Sequence, residues 1–188
     1  MSGSRGGNMK RLLEKFFLLC LLSLMVACAS KPAVLPTPQW SYEKDAIRLL
    51  MKSDPKLNLF EDSPHALLLC VYQLADPNAF NQLKEEKEGM AKLLECGRFD
   101  ASVASSKRLV IQPGKDSTLL LDRAENAKYV GIAAGYYILQ KDRVVRLQQI
   151  PVQVDVKGWI SKTRTTKPGM FDMELYLGPQ EILGLKGK

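Results

Sequence analysis

The four cysteines carry the clearest covalent chemistry in this chain. Cys28 directly follows Ala27, at the end of an uncharged run over residues 16–27 that comes after Lys15. A basic start, a short apolar run and a small residue before the cut are typical of a secretory signal peptide. Cysteine at the next position completes the pattern of a bacterial lipobox, Met25-Val26-Ala27-Cys28. The pattern predicts cleavage before Cys28, an S-diacylglycerol on its thiol and an acyl group on its new N-terminus.

Two other interpretations of the leader stay open. A transmembrane helix is one, although twelve helical residues rise only about 18 Å, against about 30 Å of hydrocarbon. A cleaved signal with an accidental cysteine is the other, since Met25 stands where Leu is usual and Glu14 lies in a basic segment. Translation could also begin at Met9. If lipid is attached, several acyl chains make a durable anchor, and Ala29 after the cysteine predicts sorting to the outer membrane.

Two further cysteines, Cys70 and Cys96, would remain in the mature chain. Export places them in an oxidising compartment, where a disulfide between them is favoured. Such a bond would constrain the unfolded chain by about 3 kcal/mol in the loop-entropy model. Two buried free thiols are the alternative. The spacing is far from Cys-x-x-Cys, so redox catalysis is not expected.

The remaining residues give no indication of catalysis. His65 is the single histidine, so neither a histidine-based metal site nor a standard hydrolase triad is expected. No glycine-rich phosphate loop is present in the sequence. The formal net charge of +7 belongs partly to the leader, and the mild excess that remains is typical of a solvated surface rather than a nucleic-acid footprint. We therefore predict a protein that is not an enzyme and needs no cofactor.

The elements that position these residues are predicted to be mainly strands. Apolar and polar residues alternate with period two, or run continuously apolar, around residues 47–51, 66–73, 109–111, 118–121, 129–138, 152–156 and 171–177. The half-polar segment 143–150 belongs to the same series of predicted strands. Strands separated by turn signals predict an all-β sandwich with one wet face on each sheet. Asp76-Pro77 is a helix-start signal, and it predicts a small helical insertion of two short helices over about residues 77–95.

Composition divides the chain into three parts. Residues 1–27 are the predicted signal peptide, 28–42 a proline-rich tether, and 43–188 the sandwich domain. Within the domain, Gly158–Gly169 is predicted to be a solvated hairpin tip whose basic residues could meet acidic partners or anionic headgroups.

The segment Ser53–Pro64 is the most informative loop. Twelve residues are long for a connection between adjacent strands, and long loops are often functional. It places Leu57, Leu59 and Phe60 among turn-forming residues. These three could fold back onto the core, or they could form an apolar anchor for a partner.

Several blocks of the sequence resemble a known family, and they occur in the family's order. They are Leu69-Cys70-Val71-Tyr72-Gln73-Leu74, Asp76-Pro77-Asn78-Ala79-Phe80, Gln112-Pro113-Gly114 and the segment 127–137, which contains Val130-Gly131-Ile132-Ala133-Ala134-Gly135-Tyr136-Tyr137. With the lipobox, this pattern is similar to the TssJ/SciN family of type VI secretion lipoproteins. The resemblance implies a transthyretin-like two-sheet β-sandwich with a small helical insertion.

The same resemblance implies a function. Family members are outer-membrane lipoproteins that face the periplasm, bind the periplasmic C-terminal domain of TssM, and belong to one complex with TssL. In the family the loop between the first two strands contacts TssM, which implies partner-binding residues Asp54, Leu57, Asn58, Leu59, Phe60, Glu61 and Asp62 here. A lipid-anchored periplasmic carrier or chaperone on the same kind of sandwich is the alternative, with Gly131–Gly135 as the place for its cavity.

Overall fold

A computed structural model describes Glu14, Lys15 and residues 35–158 and 163–187, the side chains of 185–187 excepted. Leu35–Lys188 is one compact unit. The predicted signal peptide, the lipidation site Cys28 and tether residues 28–34 lie outside the described residues, apart from Glu14 and Lys15, which are helical. In the described part of the chain, no helix has the length and apolar character needed to cross a bilayer.

The described domain consists mainly of strands. In chain order they are β1 (Glu43–Ser53), β2 (Leu67–Leu74), β3 (Val103–Ile111), β4 (Ser117–Arg123), β5 (Tyr129–Gly135), β6 (Val145–Gln149), β7 (Val152–Lys157), β8 (Thr163–Pro168), β9 (Phe171–Leu177) and β10 (Ile182–Gly187). The short helices are α1 (Asn78–Glu85), α2 (Gly89–Leu93) and α3 (Lys141–Val144).

The strands form two four-stranded sheets and a separate ribbon. The first sheet has the order β10-β9-β1-β4, the second β3-β2-β5-β6, and β7 pairs only with β8. β1 and β9 are parallel, and the other pairs are antiparallel. The predicted all-β sandwich with a helical insertion is confirmed. β1 spans about 33 Å at 3.3 Å per residue. We call its Glu43 end the tether end and its Ser53 end the loop end.

The core lies between the two sheets and follows the period-two pattern of the strands. Ile47, Leu49 and Met51 of β1 are at most 2% exposed, and every second residue of β9 is also buried. Leu67 and Leu69 of β2 are fully buried too. β2 and β5 are buried along nearly their whole lengths, because the helical insertion covers the face of the second sheet that would otherwise be wet.

Small residues on β5 make room for this insertion. Gly131 pairs with Tyr72, and Gly135 pairs with Leu68, on the same face of the second sheet. A Cβ at Gly131 would lie 2.8 Å from the Phe80 ring of α1, and one at Gly135 would lie 3.4 Å from Leu94. The place considered for a carrier cavity is therefore occupied by the insertion.

The far end of the insertion is attached to β2. A disulfide joins Cys70 to Cys96, with Cα atoms 5.0 Å apart. The Tyr72 hydroxyl donates a hydrogen bond to the carbonyl oxygen of Leu93, and burial raises the pKa of Tyr72 to about 12. The pair of short helices is thereby held to a central strand by covalent, polar and apolar contacts.

Several predicted boundaries differ from the structure. β5 ends at Gly135 rather than near Ile138, and residues 141–144 are helical before β6 begins. The segment 158–169, predicted to be a hairpin tip, contributes β8, because its backbone pairs with β7. α1 begins at Asn78, with Pro77 as its N-cap, although the Asp76 carboxylate still accepts a hydrogen bond from the Asn78 amide at 2.8 Å. β10 was not predicted.

Candidate partner-binding surface

The loop between β1 and β2 is fixed to the sandwich by its backbone. The Asp54 amide donates to the Leu177 carbonyl at 2.9 Å, and the Leu59 amide donates to the Pro179 carbonyl at 2.7 Å. The His65 amide donates a hydrogen bond to the Leu57 carbonyl at 3.0 Å. Leu57 is fully buried in the core. These contacts order the loop before any partner arrives.

Asn58 joins this loop to the segment that follows β5. Its backbone has φ = 49°, in the left-handed region that Asn tolerates better than most residues. Its amide nitrogen donates to the Ala66 carbonyl at 3.0 Å, and its amide oxygen accepts from the Tyr137 backbone amide at 2.9 Å. Because Asn58 is only 4% exposed, its role is to hold two segments together.

The tip of the loop is a tight turn with two acidic residues. Phe60 and Ser63 exchange two backbone hydrogen bonds, each 3.0 Å long. Glu61 and Asp62 between them have φ values of 48° and 57°, as the central residues of a type I′ turn require. Both side chains are exposed. The turn therefore presents two carboxylates next to Phe60.

An exposed apolar surface lies beside this turn. The rings of Phe60 and Tyr137 stack, with centroids 4.6 Å apart and planes 16° apart. His65 meets the edge of the same Tyr137 ring at 4.9 Å. Phe60, Tyr137, Ile138 and Leu139 are 39%, 55%, 42% and 45% exposed. We call these four residues the apolar patch.

The residues that underlie the apolar patch are also held by hydrogen bonds. The Tyr136 hydroxyl donates to the Glu181 carbonyl at 2.9 Å, and Arg146 donates to the Ile182 carbonyl at 2.6 Å. Burial raises the pKa of Tyr136 and lowers the pKa of Arg146. These contacts attach the turn between β9 and β10, which also receives the Leu59 amide, to the end of β5.

The structure divides the predicted loop residues into two groups. Leu57 and Asn58 are buried, and Asp54 is half-buried with its carbonyl accepting from Leu57 and Gly114. Leu59 is half-buried, whereas Phe60, Glu61 and Asp62 are exposed. The exposed residues 137–139 were not predicted to belong to this surface, since the strand predicted over residues 129–138 included two of them. A run of apolar residues continuing past Gly135 was the available signal.

This surface is formed by exposed aromatic and aliphatic side chains. Among the residues that the structure describes, no three His, Cys, Asp or Glu side chains are grouped to hold a metal ion. His65 contacts an aromatic ring and has no nucleophile as a hydrogen-bond partner. The fold and surface together define a two-sheet β-sandwich that presents a preorganised aromatic patch.

The family is shown by sequence. Residues 45–165 match the model of the type VI secretion lipoprotein family, which includes VasD, EvfM and TssJ, and the chain belongs to this family. It is therefore a structural lipoprotein component of a secretion complex and not an enzyme, as predicted. No curated protein sequence matches the chain.

Solved structures share the fold. The T6SS lipoprotein TssJ1 from Pseudomonas aeruginosa is similar with a TM-score of 0.54 and 16% identity, over 80% of this chain and 98% of that one. Serratia marcescens Lip, a membrane-bound component of the type VI secretion system, gives 0.50 and 18%, over 79% and 97%. A chain from the structure of the TssM C-terminal domain from EAEC gives 0.53 and 13%, over 74% and 96%.

Proposed function

We propose that this protein is the outer-membrane lipoprotein of a type VI secretion membrane complex. In this proposal the signal peptide is cleaved before Cys28, the cysteine carries an S-diacylglycerol and an N-acyl chain, and the domain faces the periplasm. The family match over residues 45–165 carries the proposal. The lipobox Met25-Val26-Ala27-Cys28 supports the lipid anchor.

The proposed partner is the periplasmic C-terminal domain of TssM, with TssL in the same complex. The contact is made by the loop 54–62, and we extend it to the apolar patch. Phe60 and Tyr137 are rigid, stacked and exposed, and large aromatic side chains of this kind dominate the binding energy of protein interfaces. Glu61 and Asp62 at the rim would favour a partner with basic residues opposite them.

The binding test uses substitution rather than deletion of the loop. Deleting residues 54–63 would remove the buried Leu57, so a loss of binding would not separate recognition from folding. Phe60→Ala and Tyr137→Ala remove only exposed rings. We expect each to lower the affinity for a TssM C-terminal fragment by about 2 kcal/mol, or roughly 30-fold, as at an interface hot spot, measured by titration calorimetry on the mature protein in detergent.

The matched control is Leu120→Ala. Leu120 is 50% exposed on β4, in the other sheet from β5, and lies outside the loop and the patch. Its substitution should leave the affinity for TssM unchanged. Wild-type affinity in Phe60→Ala and Tyr137→Ala would show that the loop and patch are not the binding site. Absence of any binding by the wild-type protein would contradict the proposed partner itself.

A further inference from the structure

The tether end holds the chain that leads to the proposed lipid anchor. Arg123 is 1% exposed; it donates to the Ser41 carbonyl at 3.0 Å and pairs with the Glu43 carboxylate at 2.8 Å. The Trp40 ring lies over the same guanidinium at 5.9 Å. One buried cation therefore contacts three of the four residues 40–43 and fixes the point at which the tether leaves the sandwich.

From that point the tether runs beside the β7–β8 ribbon. Gln39 lines a groove with Gln153 and Lys167, and further back along the chain Pro36 accepts a hydrogen bond from the Thr166 hydroxyl. Pro36, Thr37 and Gln39 line a second groove with residues 165–167. Contacts thus move from the Pro168 end of β8 towards its Thr163 end as the residue number falls, so the tether and the ribbon project in the same direction.

The length of the intervening chain sets a limit on distance. Residues 28–35 span at most about 25 Å when fully extended, at up to 3.6 Å per residue. If Cys28 carries lipid, Leu35 lies within that distance of the headgroups. The ribbon beside it must then lie close to the same bilayer.

The ribbon carries a surface suited to anionic phospholipid. Val152, Val154 and Val156 occupy one face of β7 and are 39%, 43% and 55% exposed, because neither four-stranded sheet continues into the ribbon. The three valines keep this exposure although Thr166, the register partner of Val154, is bonded to Pro36 of the tether.

The charges of the ribbon are mostly positive. Lys157, Arg164 and Lys167 outnumber the one acidic residue, Asp155, which pairs with Lys167 at 3.4 Å. Arg164 pairs with Val156 and shares the face of the valines, whereas Lys157 and Lys167 lie on the opposite face of the ribbon. In the described ranges 35–158 and 163–187, Lys157 and Arg164 form no salt bridge. Basic side chains beside exposed apolar ones bind bilayers that contain anionic lipid.

We propose that the β7–β8 ribbon is a membrane-contact surface that rests on the phospholipid leaflet holding the lipid anchor. This inference rests on the proposed lipidation of Cys28. The ribbon gives the anchored body a second attachment besides the acyl chains. Two attachments at one end restrict how the body can tilt, and they keep the loop end directed away from the bilayer.

The test is fluorescence quenching in vesicles with the full lipidated protein. Val154→Cys offers a single reactive thiol, because Cys28 is acylated and Cys70 is bonded to Cys96. An environment-sensitive dye on that thiol reports contact with phospholipids that carry a nitroxide near the headgroup. Val110→Cys is the matched control, since Val110 is an exposed valine, 62% exposed, next to the last residue of β3 at the loop end.

In phosphatidylcholine vesicles that contain phosphatidylglycerol, we expect the dye at position 154 to lose most of its fluorescence and the dye at position 110 to keep it. Lys157→Gln combined with Arg164→Gln should restore much of the fluorescence at position 154. Equal quenching at the two positions would overturn the inference. Shielding of position 154 only after the TssM fragment is added would also overturn it, and would indicate a protein interface instead.

The same samples separate this inference from the anchor on which it rests. A protein without lipid on Cys28 would take up a second dye on that thiol and would not float with the vesicles. That outcome rejects the proposed lipidation. A protein that takes up one dye and floats, but shows no quenching at position 154, rejects only the membrane contact of the ribbon.

Discussion

The two ends of strand β1 have different chemistry. At the loop end the chain is held by backbone hydrogen bonds, by the buried side chains of Leu57 and Asn58, and by two stacked aromatic rings. At the tether end, Arg123 holds an extended segment through one ion pair and one hydrogen bond. A basic two-stranded ribbon projects beside it, and neither sheet covers that ribbon.

This difference matches two kinds of recognition. A protein partner requires a surface of fixed shape, since preorganisation avoids the entropy lost on ordering loops at an interface. A lipid surface offers charge and apolar depth but no fixed shape, so a ribbon with exposed valines and basic side chains is sufficient. We infer that one sandwich separates the two tasks by the length of a strand.

The largest expected effect is a difference in unfolding free energy between two alanine substitutions, one at each end of the sandwich. Leu57→Ala removes a fully buried side chain, and it should lower the free energy of unfolding by about 2–5 kcal/mol. Val154→Ala removes an exposed one and should stay within about 0.5 kcal/mol of wild type. Urea denaturation of both variants measures the difference, and equal losses would mean that the loop end is not part of the core.

The second prediction is about the disulfide between Cys70 and Cys96, which lies between the two ends of the sandwich. Replacing both Cys70 and Cys96 by alanine should cost about 3 kcal/mol, because the unfolded chain gains freedom. Wild type measured with a reductant should fall to a similar stability, while the double variant should not respond to the reductant. A wild type that is insensitive to reductant would indicate that the bond contributes nothing.

A smaller effect is expected at the start of the tether. Glu43→Gln removes the carboxylate that pairs with Nη2 of the buried Arg123 guanidinium, whose Nε and Nη1 atoms form no hydrogen bond to the described residues. Because Glu43 is half-exposed, we expect a loss of about 1–2 kcal/mol. Asp155→Asn, which breaks the exposed pair with Lys167, is the control and should change stability by less than about 0.5 kcal/mol. Equal effects would show that Arg123 does not hold the tether.

The smallest expected effect is a shift in a titration. The Tyr42 hydroxyl donates to Asp122 and holds the pKa of that carboxyl below its ordinary value. Such a group stabilises the fold above its ordinary pKa, and this contribution is lost as the pH falls through the lowered pKa. In Tyr42→Phe the pKa of Asp122 should rise towards its ordinary value, as followed by NMR of the carboxyl carbon.

Asp142 is the internal control for that titration. Its pKa is lowered chiefly by a hydrogen bond from Lys84, away from the tether, so it should titrate as in wild type. An unchanged Asp122 titration in Tyr42→Phe would mean that the two side chains do not interact in solution.

Local pattern predicted most of the sandwich but not the division of roles within the loop. β1 and β9 were recognisable because alternate residues are buried between two sheets. In the sequence alone, Leu57 and Phe60 are both large apolar residues of one loop, and nothing local shows which of them is buried. In the structure Leu57 is buried and Phe60 is exposed. Asn58, which lies between them, is bonded to Tyr137, a residue 79 positions away that local pattern does not reveal.

The ribbon and the last strand show the same limit. The alternation of Val152, Val154 and Val156 predicted a half-buried strand, yet all three valines are exposed. Alternation indicates that a strand has two unlike faces, but not whether another sheet covers one of them. β10 was missed because its short sequence includes two glycines and has no clear period.

Hydrogen exchange of the lipid-anchored protein in vesicles, with and without the TssM C-terminal domain, tests the separation of the two ends most directly. We expect TssM to slow exchange at amides in residues 57–65 and 137–140, and to leave exchange in residues 152–157 and 163–168 unchanged. Protection of the ribbon by TssM, with no change in the loop, would contradict this expectation.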